Sequence, residues 1–524
     1  MNTSRRKGAT LATCMPIAAV PGIDLTALNL AVPHLSADLN PSSTQILWIA
    51  DAYGFALAGL LITMGAVGDR IGHKRLLLCG TALFAAASAV TAYAPTAEAL
   101  IAARAVLGVA GATLMPSCLS LIRRAFTDAG ERTAAVGAFM GVSGLAIGLG
   151  PLVGGVLLDR FWWGSVFLIN VPIMAVALIV GAAVLTETRD AGSREPVPGR
   201  LDLLSVPLSA AGVLGVVYAI KEAAAHGLGH GRIYVSAAAG ALALVAFVVR
   251  QARLDEPLID IALFRRTAFA GSVAANTFAM FALVAQSLIF SLFFQLALGW
   301  SPLKAGLAGL PGAAGAMAGG AVLAPPLISA LGRARAAAAG MLLGAAGYAV
   351  FVTVGLDTSY WMMLPAMVLS GAGVGIGLTV TGDTVLASVP KERSGAASAI
   401  SETGMEFGGA LGLAVLGSVL NAVYRGVLDL PAGVPAPAAS AARDSLGAAL
   451  QAAAALPADL AARVGAAARD AFVDGMHAAL VCSAAFAVLV AVFALVTLRD
   501  VPTVIADASE PERTAADADT LPKM

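Results

Sequence analysis

From Val136 to Leu158 the chain carries no charged residue, and inside that run lies Gly144-Leu-Ala-Ile-Gly148-Leu-Gly150-Pro151-Leu-Val-Gly154-Gly155. In water this would make a poor helix, since each glycine costs roughly 1 kcal/mol relative to alanine and an internal proline roughly 3 kcal/mol. In lipid the balance changes. Neighbouring helices satisfy the backbone group that proline frees, and small residues let two backbones approach closely. The segment therefore reads as a bendable, tightly packed transmembrane helix, and it commits the chain to a membrane fold.

Composition agrees. Only 12% of the 524 residues are charged and 59% are hydrophobic, whereas a soluble domain carries about 25% charged residues. A span needs about 20 apolar residues. On that rule the chain holds spans near 9–33, 45–68, 76–95, 98–122, 133–158, 164–186, 203–221, 233–250, 268–297, 303–329, 336–356, 360–388, 395–421 and 476–498. Hydropathy alone leaves thirteen or fourteen open. Arg5-Arg6-Lys7 before the first run resembles a signal peptide, but the apolar run continues through Asp24 to Pro33, so an uncleaved span is expected. Alternate loops are basic: Arg70/Lys74/Arg75, Arg123/Arg124/Arg132, Arg189/Arg194/Arg200, Arg250/Arg253/Arg265/Arg266, Arg333/Arg335 and Lys391/Arg393. The intervening loops hold chiefly Arg160, Lys221, Arg232 and Lys304. That asymmetry puts the basic loops and both termini in the cytoplasm, and an even number of spans follows.

The expected organisation is all-α and integral to the membrane. An N-terminal six-span half (1–186) is followed by a linker with inserted spans 7 and 8 (187–266). A second six-span half (267–498) carries a long outer loop (424–475), and a cytoplasmic tail (499–524) ends the chain. A faint repeat relates the halves: GAVGDRIGHKR at 65–75 and PPLISALGRAR at 325–335 both close a span with a glycine-basic turn. The Ala-rich outer loop can form one or two amphipathic helices, as a plain surface loop or as a gate over the outer vestibule. No GxxxxGK[ST] loop supports ATP hydrolysis, and an enzyme is not expected. Zero net charge gives no argument for nucleic acid. Cys14, Cys79, Cys118 and Cys482 lie in apolar runs, which suggests buried thiols rather than disulfides or a metal site.

Polar groups inside spans are costly, about 2.5–3.5 kcal/mol at the centre, so each needs a reason. Asp24, Asp51, Asp383, Glu402, Glu406 and Arg104 qualify. Glu402 and Glu406 are four apart in span 13 and share a face. At ~1.5 Å per residue Glu406 lies about 17 Å in from Gly395, near the midplane. Two such carboxylates titrate together, and a cation entering the cavity would favour ionisation and expel a proton. Asp24 follows Pro21-Gly22 in span 1, at a depth that allows an ion pair with Arg104 of span 4, either as a proton-linked switch or as a purely structural pair. Trp48 and Tyr53 could stack on an organic cation with Asp51 as counter-charge, or belong to an interfacial belt. Asp383 is expected to be structural. In GAVGDRIGHKR, Gly68 and Gly72 permit a tight turn, Asp69 can sit against a helix N-terminus, and Arg70 joins the cations that hold the cytoplasmic side. The lone histidines, His73 among them, are expected to be solvated.

Together these motifs resemble the fourteen-span drug:proton antiporters of the major facilitator superfamily, over nearly the whole chain to about Leu498. GAVGDRIGHKR looks like the superfamily's loop between spans 2 and 3. Leu100 to Gly108 looks like the span-4 motif with its coupling arginine, Arg104, and the glycine-proline stretch looks like the antiporter signature. IDLTALNLAVP, WGSVFLINVP and AISETGMEFGGALG also fit this branch. LWIADAYGFALAG and the paired acids of span 13 look most like the QacA, SmvA and LfrA group, exporters of quaternary ammonium compounds and cationic dyes. The resemblance implies proton coupling through Asp24, Arg104, Glu402 and Glu406, and substrate contact at Trp48, Asp51, Tyr53 and Glu406. It implies conformational roles for Gly65, Gly68, Asp69, Arg70, Gly72, Gly148, Gly150, Pro151, Gly154 and Gly155. The expected protein is a monomeric exporter in the bacterial cytoplasmic membrane, with no cofactor and driven by the proton gradient. Its partners are hydrophobic cations, protons and the lipid bilayer, with no nucleic acid and no metal. Ser401 before Glu402, the absence of acids in spans 9–11 and the degenerate ISALGRAR depart from the pattern. A dedicated exporter of one antibiotic or natural product is the alternative.

Overall fold

The structure, a computed structural model, describes residues 3–185, 202, 204–226, 229–254, 257–390 and 393–503. Most of the predicted linker, Lys391 and the tail beyond Thr503 lie outside the described residues. Among those described there is no strand. The first half comprises α1 (Thr3–Leu39), α2 (Ser43–Ile71), α3 (His73–Ala92), α4 (Ala97–Ala125), α5 (Ala129–Leu158) and α6 (Ser165–Val184, irregular at Ile169). The inserted hairpin is α7 (Ser205–His226) and α8 (Gly231–Gln251). The second half comprises α9 (Thr267–Ala297), α10 (Pro302–Ala318, continued to Leu331), α11 (Arg333–Phe351), α12 (Tyr360–Ala387), α13 (Ser394–Val427) and α14 (Ala458–Thr497). Both α9 and α10 contain a π-helical turn, at Phe293–Ala297 and Gly319–Leu323.

Thirteen of these are long and apolar enough to cross a membrane. Helix α5, 30 residues long and uncharged from Val136 to Leu158, makes the fourteenth. Parity supports the count. Lys7 at the start of the chain pairs with Glu131 beside the basic loop before α5, and Thr503 at the other end lies beside Gly332 in the basic turn before α11. Both ends therefore sit at one face of the bundle, called here the basic end.

Local chemistry sets the helix limits. Ser42 and Gln45 form a reciprocal capping box at the start of α2, and Thr96, Asp128 and Ser301 cap α4, α5 and α10. Such caps are worth about 1 kcal/mol each. The two repeat motifs end alike: Gly72 (φ 99°) separates α2 from α3, and Gly332 (φ 79°) separates α10 from α11. A side chain is strained in that conformation, so glycine at the two turns is a conformational requirement.

Small residues then draw the helices together, as expected where lipid supplies no hydrophobic drive between them. Helices α11 and α12 meet through Gly347 and Gly373, and α12 meets α10 through Gly371 and Gly375, each without room for a Cβ. The inserted α7 packs against both α2 and α13, while α8 packs on α7 and turns Tyr234, Val235, Leu242 and Val245 outward. The long outer loop folds as two short helices, Ala436–Asp444 and Leu446–Ala453. They join the core of the second half through Ala442, Leu446 and Ala449, and Tyr424 Oη donates to the Ala442 carbonyl at 2.7 Å. In this state the loop packs on its own half. The cysteines also differ from expectation: Cys14 and Cys118 are buried, but Cys79 and Cys482 are exposed on the bundle surface.

Helix α5 presses on α1 through the glycine-rich motif. A Cβ at Gly150 would lie 1.7 Å from Thr26 Oγ1 and 3.0 Å from the Ile23 carbonyl, and one at Gly154 3.1 Å from Ala27 Cβ. Gly155 has open space at its Cβ position. Gly150→Ala is therefore expected to destabilise the protein by about 1–3 kcal/mol through overpacking, while Gly155→Ala stays near wild type. Thermal unfolding of the two variants in detergent checks the contrast; equal effects would contradict it.

Candidate functional site

The polar residues of the spans gather into three groups. The deepest is built on Asp24 and Arg104, both fully buried. Arg104 Nη1 donates to Asp24 Oδ2 at 2.5 Å and Arg104 Nε donates to the Ile49 carbonyl at 3.1 Å. Asn170 Nδ2, from α6, donates to Asp24 Oδ1 at 3.1 Å and lies 3.4 Å from Ser88 Oγ of α3. The guanidinium sits 5.0 Å from the Tyr53 ring centre and 5.7 Å from that of Phe167. Five helices thus converge on one ion pair. A charge pair in such surroundings survives only while both partners are present, because either alone is an uncompensated buried charge.

The second group is built on α2 and α7. Trp48, Asp51 and Phe55 share a face of α2, and Phe55 lies 5.9 Å from the Trp48 ring and 6.3 Å from Tyr218 of α7. Lys221, also on α7, pairs with Asp51 and holds its Nζ 5.0 Å from the Phe55 ring centre. Two expectations change here. Tyr53 does not join Trp48 and Asp51: two residues along a helix is about 200° of rotation, which turns its ring onto Arg104. Lys221 is not a loop cation but a residue of α7, within a turn and a half of its end at His226. Nothing in the local pattern of α7 announces its partner; the signal was the unpaired depth of Asp51.

Glu406 lies across from this group on α13. Its side chain is exposed, whereas Glu402, one turn toward the basic end, is only 9% exposed. The Glu406 charge acts on Glu402, and the Lys221 charge acts on Glu406. Beside them Asn276 of α9 donates to Ser401 Oγ at 2.9 Å and accepts from Thr381 of α12 at 2.7 Å, which fixes this stretch of α13 against its own half.

The third group locks the basic end. Asp69 accepts the backbone N–H groups of Gly395 and Ala396 at 2.9 and 2.8 Å, so it caps α13 across the interface between halves. His73 Nε2 is 2.8 Å from the same carboxylate. His73 is therefore buried, not solvated, because the carboxylate that caps α13 also binds its ring. Gly65 has no room for a Cβ against the Gly395 carbonyl, nor Gly68 against the His73 ring. Arg70 follows in the last turn of α2, where its Nη1 is buried with no hydrogen-bond partner among the described residues. Arg123 donates to the carbonyls of Val389 and Pro390. Asp383 is a hub: Arg132 of the first half donates to it at 2.7 Å and Arg333 of the second at 2.8 Å. Gly137 and Gly141 of α5 press on Gly320 and Met317 of α10 in the same region. Of the antiporter motif, Gly150 and Gly154 contact α1 away from this interface, and Gly148 and Pro151 lie within α5.

Every close approach between halves described above lies toward the basic end. Nearer the other end Gly150 of α5 meets Thr26 within the first half, while α5 and the Pro302–Ala318 part of α10 also pack together across the halves. The halves are thus closed at the basic end, and the Asp51 and Glu406 groups face away from it. Asp69→Ala removes both charge-assisted caps and is expected to raise the population of the state open at the basic end about fivefold or more. Electron–electron distance measurements between spin labels at the basic ends of α2 and α12 check this; an unchanged distribution would contradict it.

Residues 14–413 match the Major Facilitator Superfamily. The multidrug efflux pump LfrA of Mycolicibacterium smegmatis is 42% identical over 442 residues, 82% of this chain and 84% of that protein. The methyl viologen resistance protein SmvA of Salmonella typhimurium is 36% identical, with 86% and 89% covered. The tetracenomycin C resistance and export protein of Streptomyces glaucescens is 32% identical, with 76% and 73% covered. Among solved structures, the human organic anion transporter MFSD10 superposes with a TM-score of 0.56 at 13% identity, covering 94% of this chain and all of that one. At that identity the likeness concerns the fold alone.

Proposed function

The chain belongs to the Major Facilitator Superfamily, a transporter and not an enzyme, and we propose that it exports hydrophobic organic cations across the bacterial cytoplasmic membrane in exchange for protons. The observation that carries the reading is the seat formed by Asp51 and the Phe55 ring, with exposed Glu406 opposite. A carboxylate beside an aromatic face binds a weakly hydrated cation without requiring a particular shape, which suits a range of quaternary ammonium compounds and dyes. The names of the relatives support efflux, and methyl viologen is itself a compound with quaternary nitrogens.

In the proposed cycle Glu406 and Glu402 hold a proton when no cargo is bound. An organic cation arriving from the basic end favours their ionised form and expels that proton. Asp69, Asp383 and their partners then close behind the cargo, as in the state described. Protonation of Asp24 would weaken its hold on Arg104 and couple α1 to α4 and α6 during the return. Exchange of one proton for one monovalent cation moves no net charge, so the driving force is ΔpH alone; any excess proton would add about 2.3 kcal/mol per 100 mV.

The test is reconstitution into liposomes with an imposed pH gradient, following ethidium or tetraphenylphosphonium. Transport that stops when an ionophore dissipates ΔpH is the expected result. A second reading, a dedicated antibiotic exporter, is favoured by the tetracenomycin C and puromycin resistance proteins among the relatives, 32% and 33% identical. Failure of every cation alongside movement of one neutral antibiotic would select it.

A further inference from the structure

The cation seat already holds a cation, and it belongs to the chain. Lys221 binds the Asp51 carboxylate and lies over the Phe55 ring at 5.0 Å. Tyr218, three residues earlier on α7, flanks the same ring. An ammonium against a carboxylate and an aromatic face is the arrangement that an organic cation requires. Two cations on one carboxylate repel, so Lys221 and a substrate exclude each other at Asp51.

The pair is not needed to hold the hairpin in place. Asp51 and Lys221 side chains are about one-third exposed, 32% and 36%, and exposed ion pairs contribute little to stability, about 0–1 kcal/mol. Apolar contact already joins α7 to α2: Leu214 packs on Gly59, and Val213 and Val217 share a core with Ala58 and Ile62. Glu222, the nearest acid on α7 itself, is engaged by Arg232 at 3.7 Å. Across the cleft the Lys221 charge also acts on Glu406.

Resting on the export reading, we propose that Lys221 is a tethered competitor that occupies Asp51 in the empty outward-facing state and must be displaced by each substrate cation. It acts as a specificity and release device. When the cleft faces outward, return of the ammonium to Asp51 expels the cargo on that side. It also sets the charge of the seat: with Glu406 ionised, Asp51, Glu406 and Lys221 together carry one negative charge, which matches a monovalent cation. Without the lysine the same seat carries two and favours a dication.

The experiment measures equilibrium binding of tetraphenylphosphonium, and of a bis-quaternary dye, to the purified full-length protein in lipid nanodiscs. Lys221→Met is expected to bind tetraphenylphosphonium up to about fivefold more tightly, with a larger gain for the dication. Lys221→Arg keeps the charge and stays near wild type. In an Asp51→Asn background the gain from Lys221→Met disappears. A lysine that merely staples the hairpin to α2 gives no such gain. Wild-type binding left unchanged or weakened by Lys221→Met overturns this inference alone. Absence of binding by both proteins overturns the export reading and this inference with it.

Discussion

Glu406→Gln is expected to abolish ΔpH-driven transport of an organic cation, lowering the initial rate in proteoliposomes by at least about a hundredfold. Glutamine keeps the size of the side chain but can neither release a proton nor present a charge to the cargo. Each ~1.4 kcal/mol lost from the contact between cation and carboxylate is tenfold in binding, and the exchange step loses its proton carrier as well. Glu406 is the exposed carboxylate of α13, while Glu402, one turn toward the basic end, is buried. Glu402→Gln should therefore weaken coupling more than binding. Full transport by both single variants would move the exchange chemistry to Asp24.

The second large effect concerns that acid. Asp24→Asn leaves the Arg104 guanidinium fully buried with the Ile49 carbonyl and no anion, and Arg104→Ala leaves Asp24 with only the Asn170 amide. Either change is expected to destabilise the protein by about 3–5 kcal/mol, and joint replacement by Asn and Gln to restore much of that loss. Unfolding midpoints of the two single variants and the double variant in detergent measure the coupling. Additive losses would mean that the pair is not an energetic unit. Transport adds a separate reading: a double variant that is stable but inactive assigns the pair a role in the cycle, and one that is stable and active makes it structural.

Much of the architecture was legible because lipid imposes simple demands. Runs of about 20 uncharged residues must become helices, and the basic loops fix their parity. The glycine-basic turns at Gly72 and Gly332 were readable as a repeat, and both adopt the same left-handed backbone. Asp69 announced itself as an acid with a helix N-terminus to find, although the sequence did not say that the helix would be α13. What stayed hidden depends on which faces meet. Arg132 in the first turn of α5 and Arg333 at the start of α11 are far apart in sequence, yet both converge on Asp383. Tyr53 was grouped with Asp51 by nearness in sequence, and helical rotation carries it to Arg104. Lys221 looked like a loop cation because its partner lies 170 residues away on α2. Polar residues in spans could be found one by one; their pairing required the packing of the halves.

The central claim is that proton and organic cation compete for the carboxylates of α13, and proton release on binding tests it most directly. Purified protein in weakly buffered detergent solution near neutral pH is mixed with tetraphenylphosphonium, and a pH indicator follows the medium. The account predicts that wild type releases protons in proportion to the cation bound, that affinity rises with pH, and that release vanishes in the Glu402→Gln/Glu406→Gln double variant. Saturable binding with no proton release and a pH-independent affinity would contradict it.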